Sequence, residues 1–193
     1  MLGDSGAGLM SSAEERALGQ AWLRSFRAGV PLNSDPLIFE YLEHLLFQLA
    51  SQSEIDNPRL DLVLVDNPTI NAFAVPGGVV GVHTGLITSA QTEAQLASVL
   101  AHELAHLSQR HFERSVEAAK RANVASIGGM IAGIIWAATA GGDAATAAIA
   151  SSQAVANDSR LRHSRIHERE ADRIGMQNIV NGGYPANAAG YRF

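Results

Sequence analysis

The sequence predicts an α+β domain, mostly helical, with a small β-sheet beside one central helix, and three observations predict it. The chain has 193 residues, 47% of them hydrophobic and 17% charged, which is long enough for one well-buried core and short for two domains. Three capping patterns each precede apolar residues at helical spacing. Between the second and third of these lie two short β-branched runs.

Taken in order, residues 1–11 are Gly- and Ser-rich and are expected to be mobile, leaving 12–193 as the domain. Ser12-Ala13-Glu14-Glu15 has capping-box spacing and opens a helix with Leu18, Trp22 and Phe26 on one side. Asp35-Pro36 supplies an N-cap and first position for a second helix carrying Ile38, Tyr41, Leu42, Leu45, Leu46 and Leu49. Leu60–Asp66 and Gly77–His83 read as strands, with Asn71–Pro76 between them. Thr92-Glu93-Ala94-Gln95 starts the central helix, and its charged continuation, His111–Glu117, is expected to run on into solvent.

Val124–Ala140 holds seventeen residues without a charge and includes Gly129-Met130-Ile131-Ala132-Gly133, a small-xxx-small spacing found in packed membrane helices. It falls short of the roughly 20 residues needed to span a bilayer, and Asp143 follows closely. The expectation is a buried or lid-like helical hairpin over 124–153 rather than a membrane span.

The central helix contains His102-Glu103-Leu104-Ala105-His106. Residues four apart project from nearly one face, so both imidazoles can reach a single zinc while Glu103 faces its water as general base, a peptidase signature. The surrounding Leu96–Leu107 segment is largely apolar, and buried His and Glu require partners, which a metal supplies. A catalytic zinc needs a third protein ligand. His111 misses the metzincin position by one residue and, nine residues past His102, points to the far side of the helix, as a surface or packing histidine. Glu168 and Asp172 stand four apart on a second helix, where one carboxylate can bind the metal and the other can accept a hydrogen bond from a ligand histidine.

Three blocks, Asn71–Gly78, His102–His106 and Glu168–Gly175, carry a resemblance to the M48 family of zinc metallopeptidases, which spans most of residues 12–193. Within it the chain is most similar to the soluble BepA-like periplasmic branch of Gram-negative bacteria, which serves outer-membrane protein quality control. The resemblance implies a gluzincin-like zincin fold, one Zn2+ per chain held by His102, His106 and Glu168, Glu103 as the catalytic base, and Asp172 orienting His102. The family spacing selects Glu168 over Glu170 as third ligand. Metallopeptidases of this type hold substrate on an edge strand, which makes Asn71, Ala72, Phe73, Ala74, Gly77 and Gly78 the expected substrate-binding wall.

The implied activity is zinc endopeptidase action on misfolded or unassembled envelope polypeptides, in the periplasm, with the outer-membrane assembly machinery as an implied partner. The alternative is a chaperone or assembly factor with latent proteolysis, since strand addition serves capture as well as cleavage. Met1–Gly6 lacks the parts of a signal peptide, so none exists or the chain starts after its removal. Relatives of this branch continue into helical repeats, and the chain resembles a catalytic domain cut from a longer protein. A net charge of −5 and a single lysine, Lys120, give no electrostatic support for nucleic-acid binding. The absence of cysteine excludes disulfides and thiolate metal sites. His83, His163, His167 and Tyr184 are the candidates for a second group stabilising the oxyanion.

Overall fold

The computed structural model describes residues 11–121 and 154–187, with side chains for 11–117 and 165–187. The expectations for the terminus before Ser11, for the 124–153 hairpin and for the His163 side chain lie outside the described residues.

Helix α1 (Ser12–Gly29) is capped by Ser11, one residue earlier than the pattern suggested. The Ser11 hydroxyl accepts from the Glu14 N–H at 3.3 Å, and the Ser11 N–H donates to Glu14 Oε2 at 2.7 Å. Both Ser-x-x-Glu frames offer a box, but this one leaves Glu15 for an ion pair with Arg110 at 3.1 Å. Helix α2 (Pro36–Ser51) starts as expected, the Asp35 carboxylate accepting from Leu37 and Ile38.

Strands β1 (Asp61–Val65), β2 (Ala72–Val75) and β3 (Val79–His83) form a sheet in the order β1-β3-β2, parallel between β1 and β3 and antiparallel between β2 and β3. The Asn71–Gly78 block, which lies between the two strands read from the pattern and which the resemblance made an edge strand, thus contains a strand of its own, four residues long. Alternation divides the strands between two cores. Leu62, Leu64, Val80 and Val82 face α2 and the central helix, whereas Val63, Val65, Phe73, Val75 and Val79 lie under α1. Both faces are covered, which is why β1 and β3 read as near-continuous apolar runs. Trp22 stacks on Phe26 with centroids 4.5 Å apart, and both meet Phe73 edge-on. A Cβ on Gly81 would fall inside the Phe73 ring, so this ring fits only over a glycine.

The outer edge of β1 is covered by the chain near Leu32: Asn33 N–H donates to Leu64 O and Asp66 N–H to Pro31 O, each at 3.0 Å. The β2 edge lies instead beside the central helix α4 (Glu93–Ser108). The turn joining β2 to β3 holds Gly77 and Gly78 at φ 89° and 87°, conformations that favour glycine. It is pressed against α1, where a Cβ on Gly19 would come within 2.4 Å of Pro76 O.

After the short α3 (Thr84–Ser89), α4 is capped by Thr92 and does not run on into solvent. It stops at Ser108, and Arg110 takes φ 51° before α5 (His111–Arg121) begins. Arg110 is held there by Glu113 at 2.6 Å and Glu15 at 3.1 Å. The break redirects the chain inward, so His111, Glu113 and Val116 are buried. Helix α6 (Ala154–Asn181) packs along α4.

Candidate metal centre

Helix α4 buries Leu96, Ala97, Leu100, Ala101, Leu104 and Ala105, and this apolar packing holds its other face in a fixed rotation about the axis. His102 and His106 come from that face, one turn apart, with Nε2 atoms 3.1 Å from each other. Helix α6 approaches closely because position 175 is glycine: a Cβ there would lie 3.0 Å from His102 Cα and N. Glu168, Asp172 and Gly175 follow the i, i+4, i+7 spacing of a single helix face, so this contact turns both carboxylates toward α4.

Glu168 Oε2 lies 3.4 Å from His102 Nε2, and Oε1 lies 3.7 Å from His106 Nε2. Two imidazole nitrogens and a carboxylate oxygen thereby gather within 4.8 Å of one another. Ligand atoms about 2.0–2.1 Å from a tetrahedral zinc stand roughly 3.3 Å apart, so this borderline nitrogen and oxygen set fits that ion in spacing and chemistry. Asp172 Oδ1 is 3.0 Å from His102 Nδ1. With Nδ1 donating to that carboxylate, His102 turns a lone pair on Nε2 toward the cluster, and a cation satisfies the acceptors that meet there.

The electrostatics differ from residue to residue. Burial pushes the Glu103 carboxyl up, to about 7, with Glu168 adding to the shift while His102 and the Ala74 N–H oppose it. Burial likewise disfavours the charged form of His102, but Glu168, Glu103 and Asp172 outweigh it and raise the imidazole overall. Burial carries His106 down, helped by neighbouring histidines and opposed by Glu168. A neutral imidazole is the ligand form of histidine.

Glu103 is tied to the sheet, its carboxylate accepting from the Ala74 N–H. Because His83 N–H donates to Asn71 O, alternation along β2 turns the backbone groups of Ala72 and Ala74 outward, to the edge where Glu103 stands. Of the predicted wall, Asn71 thus pairs with β3 and Phe73 is buried under α1. Gly77 and Gly78 make the turn, and Ala72 and Ala74 line the open edge.

The other candidates are placed elsewhere. His83 is buried with Nδ1 2.8 Å from Thr69 Oγ1. Tyr184 donates to Glu93 at 2.6 Å, nine residues before His102 and so roughly 13 Å along the helix. His167 stacks on His111 at 4.4 Å. Glu170 meets His111 and Arg114 rather than the ligand cluster. His111 itself is a correction: far from pointing away, it is 4% exposed and its Nδ1 lies 2.9 Å from His106 Nδ1. A helix break built on Gln109-Arg110, without Gly or Pro, left no signal of this in the sequence. Gly175 could have been found, since it closes the Glu-Ala-Asp-Arg-Ile-Gly run.

A helix bearing His-Glu-x-x-His beside a sheet edge, completed by a carboxylate from a second helix, defines a zincin-like metallopeptidase domain. The chain belongs to peptidase family M48, whose family model matches residues 36–190. It is 36% identical over 176 residues to a putative beta-barrel assembly-enhancing protease of Vibrio cholerae serotype O1 (strain ATCC 39315 / El Tor Inaba N16961), covering 91% of this chain and 36% of that protein. It is 33% identical over 187 residues to the beta-barrel assembly-enhancing protease of Escherichia coli (strain K12), covering 97% of this chain and 38% of that one. The protein of the same name from Yersinia pestis is 34% identical over 187 residues, with the same two shares, 97% and 38%. The chain spans a little over a third of the length of these curated relatives. No helix among the described residues is long and apolar enough to cross a membrane.

Proposed function

We propose that this domain is a zinc endopeptidase, with His102, His106 and Glu168 as ligands, Asp172 orienting His102 and Glu103 as general base. The observation that carries the reading is the convergence of the three ligand atoms within 4.8 Å beside a carboxylate already bonded to a sheet edge. Zinc, when bound, would supply Lewis acidity toward the substrate carbonyl and make a water acidic enough to act near neutral pH. Glu103 takes a proton from the attacking water and returns it to the departing amine, so one carboxyl serves as base and then as acid.

The substrate is an extended polypeptide added along β2, held by the outward backbone groups of Ala72 and by the Ala74 C=O, the Ala74 N–H being taken by Glu103. Backbone pairing reads conformation more than side-chain identity, which suits unfolded or misassembled chains. The relatives are named for enhancing β-barrel assembly, which supports β-barrel proteins and their assembly machinery as partners; we place that work in the periplasm, at the outer membrane. The same edge supports the second reading, capture that assists assembly with proteolysis held in reserve.

Glu103→Gln decides between them. It should retain zinc and fold, abolish hydrolysis of an unfolded protein such as casein, and still retain the polypeptide. Unchanged hydrolysis would remove Glu103 from the chemistry, and a zinc-loaded wild type that binds but never cleaves unfolded chains would favour the assembly factor.

A further inference from the structure

The two histidines of the centre are supported differently. His102 meets a carboxylate directly, whereas the Nδ1 of His106 meets another imidazole, His111, at 2.9 Å. Behind His111, Nε2 lies 3.2 Å from Glu170 Oε2, and Arg114 donates to the same oxygen at 2.7 Å. His111 is 4% exposed, and the ring of His167 lies flat on it at 4.4 Å with a 9° interplanar angle.

We infer that His111 is a positioning residue for the metal centre: with Glu170 behind it, it fixes the His106 ring and holds its proton on Nδ1, so that Nε2 turns its lone pair toward the metal. The inference rests on the reading of His106 as a ligand. Proton bookkeeping sets its direction. A carboxylate can only accept, so the Nε2 facing Glu170 carries the His111 proton. A neutral imidazole has one such proton, which leaves His111 Nδ1 bare and able to accept from His106 Nδ1–H. His106 Nε2 is then bare as well. Arg114 keeps Glu170 in place as the fixed end of the chain.

The fold delivers His111 to this position only by breaking the helix. Five residues beyond His106 on a continuous helix, a side chain would stand about 140° around the axis. The φ of 51° at Arg110 starts a new helix and swings His111 back against the ligand.

The test measures zinc affinity by chelator competition and, separately, the His106 tautomer in the metal-free protein by long-range 1H–15N NMR. His111→Phe should weaken zinc roughly 10- to 100-fold, as losses of ligand-orienting groups do, and move the His106 proton from Nδ1 to a mixture or to Nε2. His111→Gln can accept from His106 and donate to Glu170, so it should recover most of the affinity. A folded His111→Phe protein with wild-type affinity, or with the His106 proton still on Nδ1, overturns the inference. Should that variant fail to fold, Glu170→Ala is read in the same two ways: weaker zinc and a mixed tautomer support the inference, and no change in either overturns it. A wild type that takes up no zinc defeats the metal-site reading instead, and the tautomer measurement still decides the role of His111.

Discussion

Gly175→Ala adds one methyl group at the contact between α4 and α6. The new Cβ would lie 3.0 Å from His102 Cα and N and 3.2 Å from Ala101 C, all backbone atoms that cannot rotate away. Carbon contacts settle at about 3.5–4.0 Å, so the helices must part by roughly 0.5–1 Å at this point. Metal–ligand distances tolerate only about 0.2 Å. Glu168 and Asp172 share a helix face with Gly175, so the displacement reaches both of them. Zinc affinity should therefore fall at least about tenfold, and hydrolysis by roughly 100-fold, the cost of misplacing catalytic groups by about 1 Å. Stability should change by a similar or smaller amount. Alanine gains about 1 kcal/mol in helix propensity, against about 1–3 kcal/mol for overpacking, which leaves the fold at most about 2 kcal/mol weaker. Chelator competition and denaturant unfolding of the metal-free protein separate the two effects. A variant with wild-type zinc affinity would refute the argument that this glycine sets the spacing of the proposed ligands.

Asp172→Ala should lower zinc affinity roughly 10- to 100-fold in the same competition assay, because on the proposed reading the carboxylate 3.0 Å from His102 Nδ1 orients that ring. Gly19→Ala forces a methyl group to 2.4 Å from Pro76 O. Its cost should be about 1–3 kcal/mol in denaturant unfolding, with α1 loosened from the turn and the Trp22 fluorescence altered. Burial and the Glu93 carboxylate push Tyr41 up to about 12 and raise Tyr184 in the same direction. The folded state thus holds these protons more tightly than the unfolded chain, whose phenols titrate near ~10. Their contribution is complete below that pH and is lost as pH rises toward about 12. Unfolding midpoints should fall across that window, and less steeply in Tyr41→Phe.

The sequence by itself determined the chemistry available at the centre. His102, Glu103 and His106 are legible because helical periodicity converts a spacing of four residues between the histidines into a common face. Glu168 and Asp172 are legible in the same way on a second helix, although their separate roles came from the family pattern rather than from spacing. The strands β1 and β3 and the N-cap Asp35 also follow from local rules. Tertiary structure decided what depends on groups distant in sequence. Strand β2 is too short to announce itself and exists by pairing with β3, with Phe73 seated over Gly81. The end of α4 depends on Arg110, held in a left-handed conformation by Glu113 and by Glu15 of α1, nearly a hundred positions away. His111 therefore reads as a residue on the wrong side of a long helix and stands in fact against His106. Periodicity assumes an unbroken axis, and here a long-range ion pair helps hold the break in it.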